Sequence, residues 1–81
     1  MTASYLPAIG QNLRKARKQR FPKESLDTFA LRIGVSRAML QKMEKGDLSV
    51  TLGRYYAAAR LLGLTAPFDV LLEPPTSLFN D

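Results

Sequence analysis

The chain has 81 residues, 46% of them hydrophobic, with 12 Lys and Arg against 7 Asp and Glu for a formal charge of +5. That length suits one small core rather than two domains, and the absence of Cys and His excludes disulfides and His/Cys metal sites. The charge is lopsided, +7 over residues 1–45 and −2 over residues 46–81, so a polyanionic partner would meet the N-terminal half.

The opening, Met1 to Pro7, lacks the basic region and apolar run of a signal peptide, and no stretch approaches the ~20 apolar residues of a membrane helix. A soluble cytoplasmic protein without membrane association is expected. A first helix is expected from Ala8 to Arg20. Its apolar stripe is Ile9, Leu13 and Ala16, followed by Phe21, while Arg14, Lys15, Lys18 and Arg20 point elsewhere. Arg17 is the exception, because the steps 9, 13, 17 set it on the inward side.

Leu26, Phe29, Ala30 and Ile33 stand at i, i+3, i+4 and i+7, one stripe of a second helix. Ser25 is its expected N-cap, and Asp27 lies in the first turn, where the helix dipole favours a negative charge. Gly34 ends it, at a position that usually takes a left-handed backbone. Ser36 then caps a third short helix, with Leu40 and Met43 inward beside Val35. Arg37, Ala38, Gln41, Lys42 and Lys45 fall on its other side, joined by steps of three and four. The link is too short for an antiparallel return, so the helices meet steeply, and Ala30 is the small residue that lets them approach. Helix, glycine turn, helix at this spacing is a helix-turn-helix unit. Taken alone, the third helix would be an ordinary amphipathic surface helix; its flanks argue otherwise.

Glu44 lies four residues past Leu40, near the inward edge of the third helix. It is expected to pair with Arg17 across the core; the alternative is two solvated surface charges. A fourth helix should follow the loop Gly46 to Val50, capped by Ser49 or Thr51 and ended by Gly63. Its apolar face would be Leu52, Tyr55, Tyr56, Ala59 and Leu62. Thr65-Ala66-Pro67 suits the start of a short fifth helix through Phe68, Val70, Leu71 and Leu72, although an extended segment is the other option. Pro74-Pro75 ends it. The expectation is therefore an all-α, compact five-helix domain over residues 1–81, with a core at about 8–72 and a tail at 73–81.

The stretch from Phe29-Ala30 through Ile33-Gly34-Val35-Ser36, Leu40 and Met43-Glu44-Lys45-Gly46 resembles the helix-turn-helix of the phage repressor/Cro-type (XRE-type) family. Upstream, Ile9-Gly10, Leu13-Arg14 and Arg17 resemble that family's first helix; downstream, Ser49 to Leu64 resembles its fourth. The resemblance implies a lambda-repressor-like DNA-binding fold with helices 2 and 3 as the motif, and also implies the Arg17–Glu44 contact. Two departures stand out. The family commonly has Gln at the position of Leu26, where it contacts a phosphate, and the connection Phe21 to Ser25 is about two residues longer than usual.

Function follows from the third helix. Arg and Gln each present two hydrogen-bonding atoms in one plane, matching guanine and adenine edges in the major groove. Arg37, Gln41 and Lys42 are expected to meet base edges, with Ala38 near a thymine methyl and Ser36 as cap and contact together. Lys23, Arg32, Lys45, Arg54 and backbone amides at helix N-termini are the expected phosphate contacts. Arg17, Ala30, Gly34 and Glu44 are structural. A single domain reads few base pairs, so a homodimer on a palindromic double-stranded operator is expected. Phe68, Val70, Leu71, Leu72, Leu78 and Phe79 form its candidate interface, or else a cap over helices 1 and 4. The expected role is a transcriptional repressor. The alternative is an antitoxin, because helix 4, Thr51-Leu52-Gly53-Arg54-Tyr55-Tyr56, looks like the antitoxins that partner persistence-type toxin kinases. No cofactor or metal is implied. An enzyme is disfavoured by the absence of a nucleophile, an acid–base pair or a phosphate-cradling loop.

Overall fold

A computed structural model describes residues 4–76, and these form four α-helices and a closing 3-10 turn. They are α1 (Pro7–Arg20), α2 (Leu26–Ile33), α3 (Arg37–Met43), α4 (Leu52–Leu62) and the turn Ala66–Val70. Helix α1 opens on Pro7, whose missing N–H would be unpaired there anyway. Arg17, Lys18 and Arg20 occupy its last turn, where cations complement the helix dipole. Ser25 and Ser36 accept from the backbone N–H of Thr28 and Met39 at 3.1 and 3.0 Å, so each of the two central helices starts on a side-chain cap.

The core is built where these helices meet. Phe29, Leu40 and Met43 are wholly buried, joined by Leu13, Ala30, Val50 and Ala58. Each large side chain removed from water contributes on the order of 1.5–3 kcal/mol. Ala30 in α2 and Ala58 in α4 are small and almost fully covered, which lets α2 pack against both α3 and α4. Helix α4 keeps part of the face its sequence suggests, with Ala59 buried and Tyr55 and Leu62 packed against the core. Ala58 is buried as well, whereas Leu52 and Tyr56 are exposed.

The connection from α1 to α2 is anchored despite its length. Phe21 packs on Phe29 with ring centroids 6.0 Å apart. The guanidinium groups of Arg20 and Arg32 lie over the Phe21 ring at 5.9 and 5.3 Å. Arg32 also bonds to both carboxylate oxygens of Glu24, so α2 holds the loop that leads into it.

Residues 4–6 form a short strap that the sequence does not announce. Leu6 N–H donates to the Gly46 carbonyl at 2.8 Å and Leu48 N–H to that of Ser4 at 2.7 Å, forming an isolated antiparallel bridge between Tyr5 and Asp47. Gly46 has φ 76, and a Cβ there would lie 1.9 Å from the Leu6 carbonyl oxygen. Gly10 is equally constrained: a Cβ would lie 2.4 Å from the Glu44 carbonyl oxygen.

A fifth α-helix does not form. Residues Ala66–Val70 make a 3-10 turn, with Phe68 N–H bonded to the Thr65 carbonyl at 2.9 Å. Leu72 at φ 63 reverses the chain before a helix could reach Pro74-Pro75. Phe68 meets Tyr56 edge to face at 5.3 Å. With Leu71, Phe68 lines an apolar groove of about 530 Å³ that also runs past Ile9, Leu13, Leu52 and Leu62. Val70 and Leu72 stay exposed. Leu78 and Phe79 lie outside the described residues.

Candidate nucleic-acid interface

The motif is assembled by local chemistry. Helix α2 ends at Gly34, φ 74, whose N–H turns back to the carbonyls of Ala30 and Leu31. Val35 N–H then bonds to the Ala30 carbonyl at 3.0 Å, closing the turn. Two residues separate this glycine from the first residue of α3, Arg37. Leu40 and Met43 anchor α3 in the core, and Met39 is half-buried.

That anchoring decides what faces outward. Ser36, Arg37, Ala38, Gln41 and Lys42 are all exposed, forming one continuous ridge. Lys45 is exposed too, but α3 stops at Met43, so Lys45 belongs to the following turn and not to the helix. At that end Arg17 and Glu44 meet, Nε to Oε2 at 2.5 Å, with side chains only 9% and 11% exposed. The pair ties the end of α3 to α1, fixing where the ridge points.

The loop behind α3 is also braced. The Asp47 carboxylate accepts from the Ser49 hydroxyl at 2.7 Å and the Ser49 N–H at 2.8 Å. These bonds, with the nearby Lys42 charge, hold the Asp47 carboxyl below its ordinary range. Ser49 is thereby a partner of Asp47 and not the cap of α4, which starts after Thr51 with no side-chain cap bond. The Tyr55 hydroxyl donates to the Asp47 carbonyl at 2.6 Å, and burial, then the Asp47 charge, pushes the Tyr55 hydroxyl up.

The basic residues outside the ridge divide by partner. Lys23 and Arg54 are exposed and belong to none of the ion pairs among the described residues. Arg32 is already engaged: Glu24 holds it, keeping its guanidinium above its ordinary range, and Phe21 lies beneath it. It also lies beside Arg60 in a shallow depression shared with Ala57 and Leu61 of α4. Its guanidinium is thus shared with Glu24, although the side chain stays 46% exposed.

Leu26, at the position where the family commonly has Gln, is partly buried against the core. An apolar residue there contributes packing and offers no phosphate contact. Sequence reasoning missed Asp27 as part of this face. Its carboxylate oxygen lies 3.5 Å from the Arg37 NH1. The signal was present, an acid ten residues before the first arginine of α3, but only the folded turn brings them together.

No helix among the described residues is long and apolar enough to cross a membrane. A family model described as Helix-turn-helix matches residues 25–68, a little over half of the chain. No curated protein and no solved structure matches it.

Proposed function

Because the chain belongs to the XRE-type helix-turn-helix family, a family of DNA-binding regulators, we propose that it is a sequence-specific transcriptional repressor that binds double-stranded DNA as a dimer. The observation that carries this reading is the ridge itself: one arginine, one glutamine and one lysine, all exposed on a helix whose opposite face is locked into the core. A helix of these dimensions fits the major groove, where Arg37 would read guanine and Gln41 adenine. Lys42 would support them, Ala38 would leave room for a thymine methyl, and Ser36 would act at the helix start.

Phosphate contacts fall to Lys45, Lys23 and Arg54 in this reading, with Arg32 reduced to a loop clamp. Such contacts set affinity and orientation but carry no sequence information. Dimerisation is supported by apolar surface at the C-terminal side. Leu71 and Leu72 are exposed, and Phe68 lines a groove that the described chain leaves open. The same surface suits the second reading, an antitoxin that binds a toxin protein and its own operator. A toxin gene adjacent to this one would favour that role.

Selection of bound sites from random duplex DNA tests the proposal. The expected product is a two-fold symmetric site with half-site centres ~34 Å apart. Recovery of unselected sequence at physiological salt would remove the proposal.

A further inference from the structure

We propose that Asp27 sets the sequence selectivity of the DNA-binding face, by orienting Arg37 toward a base edge and by discouraging its capture by phosphate. This inference rests on the DNA-binding reading above. Three ion pairs occur among the described residues, and two of them are internal braces, Arg17 with Glu44 and Arg32 with Glu24. The third joins Asp27 in the first turn of α2 to Arg37 at the start of α3, with the two side chains 64% and 60% exposed. A pair so open to solvent adds little to stability. Its position is what distinguishes it.

Arg37 is the only arginine of the ridge. Neither Lys42 nor Lys45 takes part in an ion pair among the described residues. A surface shaped for affinity alone would not carry a carboxylate beside its arginine, because that charge weakens attraction to every phosphate within a Debye length, ~8–10 Å. Asp27 complements the α2 dipole in the first turn, but that role does not require it to reach Arg37, and the cap itself is supplied by Ser25, which accepts the Thr28 N–H. The contact geometry suggests what it does instead. Only NH1 of Arg37 touches the carboxylate. The Nε–NH2 edge stays available as a two-pronged donor of the kind that matches guanine O6 and N7. Held from one side, the side chain samples fewer directions, and the carboxylate repels a backbone phosphate more than it does a neutral base.

The test uses the full chain with Asp27→Asn, Arg37→Ala and the double variant, measured against the selected duplex and a random-sequence duplex across a salt series. Asp27→Asn is expected to bind the random duplex several-fold more tightly, with a salt dependence steeper by about one unit. Affinity for the selected duplex should change less, so the ratio of the two falls at least about fivefold. The loss of preference should concentrate at the base pair that Arg37→Ala also affects. Asp27→Asn should alter base preference in the wild-type background but not in the Arg37→Ala background, whereas loss of a remote charge would alter it in neither. Asp27→Glu keeps the charge and should preserve the salt slope. Circular dichroism should show all variants folded, as both residues are exposed. An equal gain on both duplexes would overturn the proposal, as would unchanged base preference. If the wild type itself selects no duplex, the failure lies with the DNA-binding reading.

Discussion

Arg17 and Glu44, 27 residues apart in the chain, form a two-pronged ion pair, Nε to Oε2 at 2.5 Å and NH2 to Oε1 at 3.2 Å. It is nearly enclosed, so neither charge can turn to water if its partner is removed. Glu44→Ala should cost ~3–5 kcal/mol, whereas replacing both by apolar residues of similar volume should recover most of that loss. Urea unfolding of Glu44→Ala and the double variant measures this. Equal stability of Glu44→Ala and wild type would show the pair to be inert.

In the proposed DNA complex, the exposed ridge would read bases and the neighbouring Lys45 would clamp phosphate. Gln41→Ala should alter base preference at a cost of about 1–3 kcal/mol on the preferred site. Lys45→Ala should weaken all duplexes alike and flatten the salt dependence by about one unit. Binding-site selection and salt titrations distinguish the two. Identical base preference in Gln41→Ala would contradict its assignment.

Gly46 and Gly34 share a left-handed backbone but differ in surroundings. A Cβ at Gly34 meets nothing within 4 Å, whereas one at Gly46 would collide with the Leu6 carbonyl. Gly34→Ala should therefore cost only the conformational penalty, ~1–2 kcal/mol. Gly46→Ala should cost more and expose the Leu6 and Leu48 amides to faster exchange with solvent. Equal losses in the two variants would mean that the strap yields freely.

Asp47 predicts a pH effect. Its carboxyl is held below the ordinary range by the two Ser49 bonds and Lys42, so the folded state binds its proton less readily than the unfolded chain. The resulting stabilisation is complete above the unfolded value, about pH 3.9, and is lost as pH falls through the lower folded value. Asp47→Asn should accordingly be less stable than wild type near neutrality, with the gap narrowing below about pH 4. A gap independent of pH would assign the effect to shape alone.

Leu72 is wholly exposed with φ 63. Leu72→Gly removes left-handed strain of ~1–2 kcal/mol while adding backbone entropy worth about 0.5–1 kcal/mol to the unfolded chain. Folding stability should hold or rise slightly, and the proposed dimer should weaken. Light scattering at micromolar concentration reads the second effect; a dimer unchanged by the substitution would take Leu72 out of the interface.

What could be read from sequence was what is settled over short distances. Ser25, Gly34 and Ser36 act on neighbours within a few residues, so the helix boundaries around the motif and the outward set Arg37, Gln41 and Lys42 follow from spacing. The face of α4 is only partly legible, because Ala58 is buried where α4 packs on α2, which the helix's own pattern does not report. The fifth helix fails for a local reason, since a proline start says nothing of the reversal at Leu72. Asp27 beside Arg37, Arg32 held by Glu24 and the strap against Gly46 are meetings between separate segments. No periodicity reports them.

The strap of residues 4–6 has a kinetic consequence. It closes a circuit of about forty residues on two backbone hydrogen bonds, a poor exchange of lost chain freedom for contact early in folding. It should dock after the helices have assembled and detach before they come apart. Its amides would then report a sub-global opening of lower free energy than that of the Phe29 core, leaving the recognition ridge in place while the amino-terminal end comes loose.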